Sequence, residues 1–142
     1  MAPTLLGLVL DSSVLIAAER RNLTATEAVE SIRNLVGEVP VALSPVTIAE
    51  IGHGIYRALT SETRERRRLF LDELKATVPV YPITEETAEI VARIGGEQVG
   101  QGVNLPLSDL IIGACALELG YAIGTTNFRD FSRVPGLSVI RL

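Results

Sequence analysis

The sequence predicts an α/β fold, a three-layer α/β/α arrangement around a central, mostly parallel sheet. Three observations predict it. Short apolar runs recur along the chain without the polar alternation of a half-exposed sheet, as expected of strands covered on both faces. Stretches of helical spacing separate most of these runs, and strands joined by helical crossovers make parallel sheets. The chain has 142 residues and is 47% hydrophobic, enough to bury the core of one ordinary domain, so a single domain over residues 1–142 is expected.

The elements follow in order. Residues 5–10, "LLGLVL", read as a buried strand. Ser12 or Ser13 can cap a helix to about Arg21. Thr24 and Glu27 form a capping box for a helix to about Val36, with Ala28, Val29, Ile32, Leu35 and Val36 facing inward. "VPVALS" (39–44) reads as a second strand, and Thr47 with Glu50 as another capping box. The helix after it carries Ile48, Ile51, Ile55 and Leu59 at helical spacing. Residues 62–75 form a charged helix, and "VPVYPI" (78–83) reads as a third strand. Thr84 caps a helix to about Val99, weakened by Gly95 and Gly96. After a loop, Ser108 caps an apolar helix from Asp109 to Leu119. A strand at 121–125, a short helical piece at "NFRDF" and a final strand within 137–142 complete the chain.

Charge and composition narrow the function. The formal net charge is −4, which argues against holding nucleic acid by net charge alone but leaves room for an acidic site that works through bound cations. The single cysteine, Cys115, excludes an internal disulfide and a Cys-rich zinc site, and it sits in an apolar helix face as a core residue. Asp11 interrupts the first apolar run and no basic stretch precedes it, so a signal peptide is not expected. The uncharged run from Leu110 to Leu117 is far short of the roughly 20 residues that span a bilayer. A cytoplasmic protein is the expectation.

The informative residues are carboxylates in apolar surroundings. In "GLVLDSSVLIAAE" (7–19) the only charges are Asp11 and Glu19, and in "LPLSDLIIGACALELG" (105–120) Asp109 is the only charge before Glu118. Alone, each has an ordinary reading: Asp11 and Asp109 can favour helix starts, and Glu50 can be the Glu of a capping box. Glu50 is followed by His53, Gly54 and Arg57 on one helical stripe, opposite Ile48, Ile51 and Ile55. In parallel sheets the working residues collect past the carboxyl ends of the strands, where Asp11, Asn127 and Asp130 fall. Acids gathered there repel one another, and burying a charge without compensation costs several kcal/mol. No Lys or Arg adjoins Asp11 or Asp109. A divalent cation is the natural compensator, and all-oxygen ligands suit Mg²⁺ or Mn²⁺. Such a cluster commonly brings water to a phosphodiester.

Four stretches carry a family resemblance: "VLDSSVLIA" (9–17), "SPVTIAEIGHGI" (44–55), "LPLSDLIIGACALELGYAIGTTNFRDF" (105–131) and "VPGLSVI" (134–140). In this order the chain resembles the PIN-domain ribonucleases, and more closely the VapC-type toxins of toxin–antitoxin pairs. The resemblance implies a Mg²⁺- or Mn²⁺-dependent endoribonuclease with Asp11, Glu50 and Asp109 as metal site. It implies Ser13 as a small polar support for the first acid. A fourth acid of the family falls at Asn127, with Asp130 a turn later, so either is a candidate for that role. Thr125 is a candidate contact to phosphate or water. It further implies an RNA substrate, a small antitoxin partner and a homodimer.

Arg64, Arg66, Arg67 and Arg68 in "TRERRRLFLDELK" read either as a solvated face balanced by Glu62 and Glu65 or as a grip for RNA phosphates, with Arg64, Arg67 and Arg68 the candidates. His53, the only histidine, reads as a plain helix residue or a contact behind the metal ligands rather than a ligand itself. Two other enzyme classes place Asp after a first strand. A dehalogenase-like phosphatase shows Asp-x-Asp where this chain has "DSS", and a receiver needs adjacent acids and a late lysine, whereas the only lysine is Lys75. The alternative outside catalysis is a degenerate domain of the same fold that binds RNA or a partner without cutting.

Overall fold

The computed structural model describes residues 5–142. Its sheet has four parallel strands, β1 (Leu8–Leu10), β2 (Val41–Ala42), β3 (Ala122–Thr125) and β4 (Val139–Arg141), in the order β2-β1-β3-β4. β1 is paired on both sides, Leu8 opposite Val41 and Ala122, and Val9 opposite Ala42 and Ile123. The helices are α1 (Ser12–Arg20), α2 (Ala25–Val36), α3 (Pro45–Tyr56), α4 (Ser61–Thr77), α5 (Glu85–Gly100), α6 (Leu107–Leu119) and the short α7 (Phe128–Phe131).

Side-chain alternation along β1 builds the layers. Leu8 and Leu10 face a core filled from α1 to α4, among them Leu15, Val29, Ile51, Ile55, Phe70 and Leu74. Val9 and Ile123 face the other side, onto Ile112, Cys115 and Ala116 of α6 and Phe131 of α7. α5 packs behind α6 through Ile94, Leu105 and Leu110. The expected three layers and parallel sheet are therefore present. Gly124 lets β3 lie close to its neighbours: a Cβ there would stand 2.7 Å from Leu142 and 3.3 Å from Leu8 and Leu10.

Several local expectations change. Residues 78–83 make only one isolated parallel bridge, Leu43 with Val80. Pro79 and Pro82 have no N–H to give, so the ladder stops after Leu43 N donates to Pro79 O and Tyr81 N to Leu43 O. The Thr24–Glu27 box forms in full, and Thr84 pairs reciprocally with Thr87. The Thr47–Glu50 box does not form. Ser44 is the cap, accepting from Val46 N, because Pro45 takes the first helical position, where a missing N–H is harmless. Thr47 is instead fully buried, with its hydroxyl directed to Leu10 O at 3.5 Å. Similarly α6 begins at Leu107 after Pro106, so Ser108 lies inside the first turn and caps nothing. Leu35, at the last turn of α2, is 73% exposed, and Leu59, beyond the end of α3, is 99% exposed, so neither is core.

One polar fastening joins α1, α3 and α4. Glu19, only 6% exposed, accepts from Arg66 Nε at 2.9 Å and stands 4.0 Å from Arg67 Nε. Arg67 Nη1 also donates to Gly54 O at 2.6 Å, satisfying a carbonyl of the last turn of α3 that has no helical partner. Removing a partner of a buried ion pair leaves unpaired charge behind. Arg66 is half exposed, which softens the loss, so Glu19→Ala should lower stability by about 2 kcal/mol. The check is a lower urea midpoint with an unchanged m-value.

Candidate functional site

Asp11 ends β1 and occupies the N-cap position of α1, yet its side chain caps nothing. It is 6% exposed, and its backbone N–H donates to Gly124 O at 2.9 Å. Two hydroxyls donate to the same carboxylate oxygen, Oδ2: Ser13 Oγ at 2.7 Å and Thr125 Oγ1 at 2.9 Å. Each hydroxyl oxygen in turn accepts a backbone amide, Thr126 N on Ser13 at 3.2 Å and Asn127 N on Thr125 at 2.8 Å. The carboxylate can only accept, as the amides can only donate, so each hydroxyl bridges from an amide to Asp11. Oδ2 is held rigidly, and Oδ1 has no partner among the described side chains.

Glu50 projects from the middle of α3 and accepts from Ser12 Oγ at 3.1 Å, which ties α3 to the first turn of α1. Burial holds Glu50 above its ordinary carboxylate range; the Ser12 bond acts the other way, and the charge of Asp11 adds to the rise. Asp109, in the first turn of α6, is pushed up to about 6, first by burial, then by the charges of Asp11, Asp130 and Glu50. The charges of Asp11, Asp130 and Glu50 thus all reach Asp109, although the four acids come from the end of β1, α3, α6 and α7. Asp130 is held at the rim, where Asn127 Nδ2 donates to its Oδ2 at 2.8 Å.

Of the expected acids, Asp11, Glu50 and Asp130 lie within electrostatic reach of Asp109, and Ser13 and Thr125 hold Asp11 while Asn127 holds Asp130. Among the described residues none of the four acids has an ion pair; the ion pairs present both use Glu19. The same residues contain no ready-made cage of three Asp, Glu, His or Cys groups around one point. An all-oxygen, uncompensated set of this kind could hold a hard dication that keeps several waters, with acids reaching it directly or through those waters. The sequence alone does not indicate that Ser12 holds Glu50. The only signal is the doubled serine after Asp11, and either serine reads equally well as a cap.

The arginines of α4 are occupied. Arg66 and Arg67 hold Glu19, Arg67 also binds Gly54 O, Arg64 Nη2 donates to Ala58 O at 3.3 Å, and the Arg68 guanidinium lies 5.8 Å from the Tyr56 ring centroid. Glu62 and Glu65 pair with none of them. His53 is exposed on the same groove as Glu50. Cys115 is buried in the core as expected, its thiol pushed up to about 12 by burial and by Glu118, so it is no nucleophile at neutral pH.

The PIN domain family profile matches residues 8–137. The chain belongs to the PIN-domain family. This PIN chain is 27% identical over 135 residues to ribonuclease VapC1 of Rickettsia felis, covering 95% of this chain and 96% of that protein. Its fold superposes on a structure of VapBC2 from Rickettsia felis bound to a promoter DNA fragment, with a TM-score of 0.81 at 17% identity over 96% of this chain and 98% of that one. It also superposes on VapBC-5 of Mycobacterium tuberculosis, from the VapBC family of toxin–antitoxin systems, with a TM-score of 0.73 at 27% identity over 96% and 99% of the two chains.

The raised Asp109 has a consequence for stability. An acid whose folded pKa exceeds its unfolded value opposes folding when ionised, so stability rises as pH falls through about 6 toward 3.8 and is lost on the way back up. After discounting for its half-exposed position, the effect is about 1 kcal/mol. In chelator, Asp109→Asn should melt higher than the parent at pH 7, and the difference should shrink toward pH 4. Thermal melts of the two proteins across that range provide the check.

Proposed function

We propose that this PIN domain is a divalent-metal-dependent endoribonuclease, the toxin of a toxin–antitoxin pair. The observation that carries the reading is the electrostatic coupling of Asp11, Glu50 and Asp130 to Asp109, from four separate parts of the chain, with no ion pair to any of them among the described residues. The ribonuclease and toxin–antitoxin names of its relatives support the substrate and the setting. By the same likeness its partners are RNA, a cognate small antitoxin and a second copy of the chain. No helix among the described residues is long and apolar enough to cross a membrane, which fits the proposed place in the cytoplasm.

Asp11, through the unpartnered Oδ1, and Asp109 are the residues placed to hold Mg²⁺ or Mn²⁺, with Glu50 completing the set. When bound, the ion supplies charge neutralisation at the phosphate and acidifies water at neutral pH. Ser13 and Thr125 fix the orientation of Asp11, so its free oxygen needs no reorganisation when substrate arrives. Glu50, raised by burial and by Asp11, is suited to accept a proton from the attacking water, while Ser12 holds its carboxylate in place. Asp130, steered by Asn127, fills the fourth acidic position at the rim; the pair together do what one acid would do alone. Attack by water in line with the leaving 3′ oxygen breaks the P–O3′ bond and leaves a 5′-phosphate and a 3′-hydroxyl.

Asp11→Asn and Asp109→Asn should each lower Mg²⁺-dependent cleavage of a mixed RNA pool by at least about a thousandfold, with far-ultraviolet circular dichroism unchanged. The parent should also gain melting temperature with rising Mg²⁺, and Asp109→Asn should lose that gain. An intact parent that binds RNA but never cuts it would favour the non-catalytic alternative.

A further inference from the structure

Of the stripe Glu50, His53 and Arg57 along α3 and its C-cap, only Glu50 is used by the chemistry above. In the structure the stripe lines a groove of about 610 Å³ between α1, α3 and α4, with Arg20 of α1 on the same groove. Glu50 belongs to both, so the groove opens directly from the acidic site. Arg57 lies seven residues beyond Glu50, roughly 10 Å along the helix axis. The other groove residues include Leu15, Ile16 and Ile51, which give it apolar surface beside the charged groups.

The cations beside the groove differ in what they already hold. Arg64, Arg66 and Arg67 are engaged by Ala58 O, Glu19 and Gly54 O, and the Arg68 guanidinium lies over the exposed Tyr56 ring. Arg20 and Arg57 are exposed, and among the described residues neither side chain makes a hydrogen bond or an ion pair. Both sit at helix C-terminal ends, where a cation is favourable, yet neither contacts the terminal carbonyls. They remain available to an external anion, and guanidinium groups suit phosphate in particular. The Glu19–Arg67–Gly54 fastening holds the groove walls, so the site is preformed.

Accepting the ribonuclease reading, we propose that this groove is the track for single-stranded RNA on one side of the cleaved bond, with Arg20 and Arg57 gripping backbone phosphates and His53 lying between Arg57 and Glu50. A groove of this volume takes a segment of drug-like size rather than a duplex. The chain has no Trp, and Phe70, the only Phe, Tyr or Trp lining the groove, is 4% exposed, which leaves His53 as the one exposed ring there. Recognition there works through the backbone and is therefore electrostatic. It also overcomes the repulsion that a −4 chain with an acidic site would present to a polyanion.

The test uses the full chain carrying Asp109→Asn, so that RNA is not consumed, in Mg²⁺ with a fluorescent single-stranded RNA of mixed sequence. Anisotropy across a salt series gives the slope of log affinity against log salt. Adding Arg20→Ala and Arg57→Ala should reduce that slope by about 0.7 each and weaken binding about tenfold or more at low salt. Arg20→Lys with Arg57→Lys should keep the slope. Arg64→Ala with Arg68→Ala should leave it unchanged while lowering the melting temperature. An unchanged slope in the Arg20/Arg57 alanine protein, with RNA bound and cut normally by the parent chain, overturns the groove assignment alone. A parent that neither binds nor cuts RNA overturns the ribonuclease reading and this inference with it.

Discussion

The structure depends on holding one carboxylate almost out of water at the end of the central strand. Asp11 is 6% exposed, and a charge so placed is tolerated only with donors directed at it. Ser13 and Thr125 supply them, and the amides of Thr126 and Asn127 supply those hydroxyls in turn. The chain of bonds links α1 to the end of β3 across the β1–β3 pairing. With amide donors at one end and a carboxylate acceptor at the other, the bonds from amide to hydroxyl to Asp11 run in one direction. Hydroxyl donors stabilise a negative Asp11 without cancelling its field, so the charge remains available to whatever the site binds.

That retained charge explains the behaviour of the acids around it. Burial and the field of Asp11 both act on Glu50 and Asp109, which makes the ionised cluster a strained one within a stable fold. α1 is the element that makes such strain bearable. At its N-terminal end Ser12 holds Glu50, and at its C-terminal end Glu19 holds the arginines of α4 and, through Arg67, the last turn of α3. α3 is therefore fixed to α1 at the acidic end directly and at the far end through α4. Repulsion among the carboxylates cannot simply push α3 away, and the energy stays available to favour a cation.

Much of this was legible in the sequence because charge inside an apolar run is costly and therefore informative. Asp11 and Asp109 stood out in that way, and the alternation of strands and helices gave the layers. What failed were assignments that depend on partners far away in the chain. Thr47 and Glu50 have capping-box spacing, but Pro45 starts the helix two residues earlier and frees both side chains for other contacts. The run at 78–83 has strand-like apolarity, yet its two prolines interrupt the hydrogen bonding that a strand needs. Periodicity reports which face a residue lies on. It does not report that Glu19, eight residues from Asp11, will occupy the arginines that otherwise look like an RNA grip.

The distribution of arginine therefore carries more meaning than its number. A run such as "RERRR" looks like a nucleic-acid contact because its charge density is high, but density also attracts buried acids and free carbonyls within the same protein. Once Glu19, Gly54 O, Ala58 O and Tyr56 have been satisfied, the run is a structural clamp. Arg20 and Arg57, which lie outside that run, have no internal claim on them and line the groove that Glu50 shares. In an acidic protein this separation is physically useful. Cations needed for folding are held by Glu19, while Arg20 and Arg57 lie on the groove where an approaching polyanion would otherwise meet negative charge.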